Sequence, residues 1–295
     1  MSNATHQMAN QYIRTDRTPA DGEPISIGSG FSARSFRARD VGPAMDPLVL
    51  VDHYVMTEPT FGIHPHAGLS AVSLIFPDSE GRFHNRDSLG NDLDLLPGDL
   101  YWLKAGRGAL HDESPIENSR IHGLQVFVNV PQKMRYEEPS SLLVRRPDMP
   151  VIRNNQHSVH VAMGASNGVA GARSPGLPMT ILDGQLVRNG SFEHELGDGR
   201  NAWIHAIDGD IEVAALANNT RLRKGQAIAI SNTERGEAIT VRVSAADDSQ
   251  AQFVLLDGQA IKEPYVQQGP FVMRSNDDIE AINRAFKEGR FGSID

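Results

Sequence analysis

Two short stretches carry the residue types that do chemistry. His64-Pro65-His66 places two imidazoles two positions apart, and 45 residues after His66 comes His111-Asp112-Glu113, an imidazole and a carboxylate at the same spacing. On an extended strand, side chains two apart point to one side of the sheet, so each pair can aim both members at a single ion. Neutral imidazoles bind divalent metals through one nitrogen, and a carboxylate adds anionic charge. Three His and one Glu leave a net charge of about +1 on a divalent centre, with positions open for an anionic substrate or O2. Gly106-Arg107-Gly108 ahead of His111 is expected to let the backbone bring the strand end close to the ion.

The remaining histidines are read more plainly. His53 and His84 lie near the motif and are candidates to support a ligand or line the cavity. His122 and His205 are expected to be structural, and His6, His157, His160 and His194 to face solvent or be satisfied locally. His194-Glu195 has no paired strand to complete a second site, and Asp52 reads as a turn-forming hydrogen bonder. No P-loop, dinucleotide fingerprint, Gly-x-Ser-x-Gly or His-Glu-x-x-His occurs.

Many short strands must position these pairs. β-type runs separated by Gly, Asp and Asn recur at Leu48–Val51, Ala71–Phe76, Asp99–Lys104, Gly123–Val130, Val159–Met163, Met179–Val187, Asn201–Ile207, Ala227–Ile230, Ile239–Ser244 and Ala251–Leu256. The pattern predicts an all-β sandwich or barrel. One helix is expected near the C-terminus, with Ser275 as N-cap, Asp277 and Asp278 in the first turn, an Ile279, Ile282, Phe286 stripe, and Gly289 at its end. The two halves resemble each other. Pro97-Gly98-Asp99 and Lys224-Gly225-Gln226 each open an alternating strand, and Ile239 and Val241 stand where His111 and Glu113 stand in the first copy. A duplicated fold with metal in the first copy only is therefore expected.

The chain has 295 residues, no Cys and a net charge of −9, which excludes disulfides and thiolate ligands. The acidic balance argues against direct nucleic-acid binding. No apolar run is long enough to span a membrane, and residues 1–30 lack a signal-peptide core, so a cytoplasmic address with no membrane contact is expected.

The motifs resemble the pirin family, a branch of the cupin superfamily, from about residue 25 to 292. The resemblance rests on Val51-Asp52-His53, His64-Pro65-His66-Ala67-Gly68, Arg86-Asp87-Ser88-Leu89-Gly90-Asn91, Pro97 to Trp102, Ala105 to Glu113, Gly123 to Pro131, Gly269-Pro270-Phe271-Val272-Met273 and Gly289-Arg290-Phe291-Gly292. It implies a bicupin: two antiparallel β-barrel (jelly-roll) domains with a C-terminal helix. The expected boundaries are an N-terminal segment at 1–24, a metal-binding barrel at 25–135, a Pro-rich linker at 136–150, and a metal-free barrel with the helix at 151–295. It also implies His64, His66, His111 and Glu113 as ligands to one divalent ion, commonly Fe(II), although Mn, Ni, Co or Zn suit the same donors.

Two activities are associated with this resemblance. One is quercetin 2,3-dioxygenase chemistry on a flavonol and O2, in which Glu113 helps deprotonate the 3-hydroxyl and ring cleavage releases carbon monoxide and a depside. The other is metal- or redox-dependent regulation through a protein partner; a different small-molecule dioxygenase or isomerase in the same pocket is a third reading. The chain departs from the family pattern at Ala67, where Arg is usual, at Ser70, where Glu is usual, and in the long turn Phe76 to Arg82. These changes bear on substrate preference more than on the ligands.

Overall fold

The computed structural model describes residues 18–233 and 236–294; His6 and most of the expected N-terminal segment lie outside the described residues. The chain folds as two copies of one arrangement, each a larger and a smaller antiparallel sheet. In the first copy, the large sheet runs Glu23–Ile27, Phe31–Phe36, Leu48–Met56, Ile121–Asn129, Leu69–Ile75, Leu100–Lys104, Ser140–Val144. Its small sheet runs His64–His66, Ala109–Pro115, Phe83–Asp87, Asp92–Leu95. In the second copy, the large sheet runs Val151–Arg153, His157–Met163, Met179–Leu186, Ala251–Gln259, Arg200–Asp208, Ala227–Ser231. Its small sheet runs Ser191–Leu196, Ile239–Ala245, Ile211–Ala215, Asn218–Leu222. The two strand orders correspond, and the Ile239–Ala245 strand holds the place of Ala109–Pro115. The repeat suggested by two glycine turns is thus present in the topology.

Within each copy the sheets face each other across a core and do not close into one hydrogen-bonded ring. Phe31, Tyr54, Ile75, Phe83 and Leu95 fill the first core. Phe192, Ile204, Ile211, Val241 and Phe253 fill the second. A further core joins the copies: Phe36, Val51, Val72, Trp102 and Val126 pack with Trp203, Ala229, Val254 and Leu256. The large sheets are therefore covered on both faces. Every residue of Leu69–Ile75 is buried, which is why it reads as a nearly unbroken apolar run.

The stretch expected as a linker is partly a strand. Ser140–Val144 pairs with Leu100–Lys104 and covers what would be the free edge of the first large sheet. Its prolines mark the ends of the strand rather than a flexible tether. Ala20 bridges to Ala227 on the corresponding edge of the second copy.

The terminal helix spans Asn276–Lys287, with Ser275 Oγ accepting from the Asp278 amide. Ile279 and Ile282 pack with Ala67, Phe271, Met273 and Phe291, so the helix covers the segment that follows His66. Phe286 departs from the expected stripe: it is partly exposed and meets Phe271 and Phe291 at the rim. Gly68 makes the contact between these elements possible. It has φ +72°, and a Cβ there would lie 2.0 Å from the Val272 carbonyl oxygen. Gly68→Ala is expected to destabilise the fold by about 1–3 kcal/mol, read as a lower thermal unfolding midpoint. Among the described residues, no helix is long and apolar enough to cross a membrane.

Candidate metal centre

The His64–His66 strand pairs antiparallel with Ala109–Pro115, with His64 opposite His111 and His66 opposite Ala109. Ala109–Pro115 alternates buried and half-buried, so His111 and Glu113 both point inward while Asp112 turns out to pair with Arg86 at 2.8 Å. The glycine turn before it has a different role from the one expected. A Cβ on Gly106 would meet the Glu137 carbonyl oxygen at 2.1 Å, and one on Gly108 the Phe291 ring at 2.2 Å. These glycines admit neighbouring chain rather than an ion.

Three imidazoles converge through their Nε2 atoms. His111 Nε2 lies 2.9 Å from His66 Nε2 and 2.8 Å from His64 Nε2. Two nitrogens bound at right angles to one ion, with bonds of about 2.1 Å, stand about 3.0 Å apart. His64 Nδ1 sits 2.8 Å from the Gly62 carbonyl oxygen, which fixes the proton on Nδ1 and leaves Nε2 a bare lone pair. Burial keeps all three rings neutral. His66 is pushed down to about 3, with His64 adding to the effect, and His111 and His64 are also lowered. With their protons on Nδ1, the three Nε2 lone pairs face one another and form a donor set that could hold a divalent metal.

Glu113 is held beside this group. Ser73 Oγ lies 2.6 Å from Glu113 Oε1 and 3.0 Å from the Gln125 side-chain amide. The hydroxyl has one proton and faces two oxygens, so Ser73 donates to Glu113 when the carboxyl is ionised and is free to donate to Gln125 Oε1 when Glu113 carries the proton. Burial raises the Glu113 carboxyl to about 7, against the Ser73 hydrogen bond that lowers it. The carboxylate therefore stands near the balance between proton donor and acceptor at neutral pH.

His64, His66 and Glu113 line a cavity of about 550 Å³ whose walls include Phe31, Leu50, Met56, Phe83 and Phe127. Asp52 and Tyr54 face it as well, because Leu50, Asp52, Tyr54 and Met56 occupy alternate positions of one strand. Asp52 is thus a strand residue on the cavity wall, not a turn former, and burial raises its carboxyl. Sequence reasoning missed this wall. The available signal was a polar residue inside an apolar run, Asp52 in one strand and Ser73 in another.

The same alternation sends His53 the other way, toward the second copy, so it neither lines the cavity nor supports a ligand. His84 bonds to Asp94 at 3.0 Å on the far side of the sheet. His194 does not face solvent. It is buried and satisfied by Ser166 at 2.9 Å and Asp257 at 3.1 Å. His157 bonds to the Ser191 carbonyl oxygen. In the second copy the pairing places Val241 and Val243, two residues on from the expected Ile239 and Val241, at the positions of His111 and Glu113; both are buried in the apolar core, and among the described residues no such donor set forms there.

Comparison with known proteins adds the family. A model described as "Pirin" matches residues 22–128, and one described as "Pirin C-terminal cupin domain" matches residues 181–292. The chain belongs to the pirin family. A pirin-like protein from Caulobacter vibrioides is 30% identical over 279 residues, covering 92% of this chain and 96% of its own length. Human pirin is 28% identical over 268 residues, 90% of each chain. The crystal structure of a quercetin 2,3-dioxygenase from Acinetobacter baumannii is similar at a TM-score of 0.79 and 25% identity, covering 94% of this chain and 97% of that one. As a bicupin of the pirin family, the chain keeps a possible metal-binding group in its first copy and an apolar core in its second.

Proposed function

We propose that this chain is a metal-dependent dioxygenase of the quercetinase type. Its ligands are His64, His66, His111 and Glu113, its resident ion is Fe(II), and its substrate is a flavonol such as quercetin. The observation that carries the reading is the convergence of three neutral Nε2 atoms on the wall of an apolar cavity, with a carboxyl near neutrality beside them. The likeness to the Acinetobacter structure named as a quercetin 2,3-dioxygenase supports the reaction class.

When bound, the ion supplies the open positions that bring the ionised substrate and O2 together. The protein does the rest. Phe31, Leu50, Met56, Phe83 and Phe127 accept the aromatic rings and displace water. Phe61, exposed at 46%, edges against Phe31 and lines the same cavity. Glu113 takes the proton of the substrate hydroxyl, and Ser73 keeps the carboxylate pointed at it. Overall, two ring carbon–carbon bonds break, both oxygen atoms of O2 enter the depside, and the carbon between them leaves as carbon monoxide.

The test is an aerobic assay of iron-loaded protein with quercetin. The expected result is one carbon monoxide and one depside per flavonol consumed, and none after chelation. Carbon monoxide no higher than in the chelated control overturns the reading.

A further inference from the structure

Away from the metal centre, three other histidines form a continuous chain between the two copies. His205 Nδ1 lies 3.0 Å from the Gln226 carbonyl oxygen, and His205 Nε2 lies 2.9 Å from His53 Nδ1. His53 Nε2 lies 2.6 Å from His122 Nε2, and His122 Nδ1 lies 2.8 Å from both carboxylate oxygens of Asp78. His53 and His122 belong to the first large sheet, and His205 to the second. The rings are packed by Phe36, Phe76 and Trp203.

The protons in this chain can be counted. A carbonyl closes one end and a carboxylate the other, and both only accept. His205 must therefore carry its proton on Nδ1, which leaves its Nε2 to accept from His53 Nδ1–H. His53 Nε2 is then bare and accepts from His122 Nε2–H, while the Asp78 carboxylate requires a proton on His122 Nδ1. Three neutral imidazoles bring three N–H groups, and the chain has four contacts to fill.

We propose that these rings form a proton-holding network across the junction of the two copies, in which one surplus proton, held by His122 against Asp78, completes an unbroken line of donors from Asp78 to Gln226. Burial keeps His53 down at about 2 and His205 at about 3, so neither of these rings holds the charge. The charged groups around the chain agree. Arg34, opposite His53 on the neighbouring strand, and Lys224 both disfavour a cation on His53. Lys224 is itself paired with Asp208 at 2.7 Å, and Asp208 favours a cation on His122. Arg120 stands 4.0 Å from Asp78 and opposes it only weakly.

Loss of the surplus proton leaves one contact with two acceptors face to face. That contact, His53 to His122, lies within the first copy, and the one contact between copies, His53 to His205, keeps its proton. The network is complete only with the surplus proton in place. Below the ordinary histidine value of 6.5, the unfolded chain protonates His53 and His205 while the folded chain does not, so stability falls there.

The test uses full-length, zinc-loaded protein with ¹⁵N-labelled histidine. Long-range ¹H–¹⁵N correlation spectra at neutral pH are expected to show His122 protonated on both nitrogens, and His53 and His205 protonated on Nδ1 alone. A single proton on His122, or an Nε2–H on His205, overturns the proposal. Asp78→Asn removes the charge that holds the proton. Its His122 is expected to be singly protonated, with a thermal midpoint lower by roughly 2–4 °C at neutral pH. A doubly protonated His122 in this variant likewise overturns the proposal.

Discussion

His111→Ala is expected to strip the protein of metal. His111 Nε2 is the shared neighbour of the other two converging nitrogens, within 2.9 Å of each. Without it, His64 and His66 remain as two neutral donors. Losing even a group that only orients a ligand lowers metal affinity by about 10–100-fold, so losing a ligand is expected to cost at least 100-fold. The measurement is elemental analysis after exhaustive dialysis, on parent and variant purified together. Metal content equal to the parent's would remove His111 from the centre. Circular dichroism separates this from unfolding, because the buried strand pairing of Ala109–Pro115 uses backbone groups that alanine retains.

Glu113→Gln is expected to act in opposite directions on rate and on metal-free stability. An amide cannot take the substrate proton, so flavonol turnover falls by roughly 10²–10⁴-fold. The folded carboxyl is raised from 4.5 to about 7, so its ionisation costs the folded state. That penalty is absent below pH 4.5, grows between 4.5 and about 7, and is complete above it. Glutamine has no such penalty. The metal-free variant should gain up to about 3 kcal/mol above neutral pH, read from the denaturation midpoint. With a cation present the sign reverses, because the cation favours the carboxylate. Unchanged turnover in this variant would exclude Glu113 as the base, while a metal-free midpoint that falls would show the carboxylate to be structurally useful.

These opposite signs express one design. Three uncharged lone pairs and a carboxyl held together in a buried pocket cost the fold wherever no cation offsets them. The second copy shows the alternative: Val241 and Val243, third and fifth in Ile239–Ala245 as His111 and Glu113 are in Ala109–Pro115, join an apolar core. Asp52, Tyr54, Ser73 and Gln125 extend the polar character of the first copy across its large sheet. Ser35, Asp52, Gln125 and Ser73 lie directly opposite one another on successive strands.

The sequence by itself determined the three histidines, the carboxylate beside them, the duplicated all-β fold, the terminal helix cap and the apolar replacement in the second copy. Each rests on a short-range rule. Side chains two apart on a strand share a face, a serine caps a helix three residues on, and a glycine turn opens the same strand twice. Only the tertiary structure decided the rest. Asp52 and His53 are neighbours in sequence, yet one faces the cavity and the other the opposite copy, because the large sheet is buried on both faces and strand period alone does not label them. His205 lies 152 positions from His53, and their contact exists only where the two sheets meet. Gly106 and Gly108 look like a ligand-side turn, but their conformation is required by Glu137 and Phe291, which approach from elsewhere in the chain. Spacing along a strand fixes which residues can act together. Which surface they act on is set by what packs against the sheet.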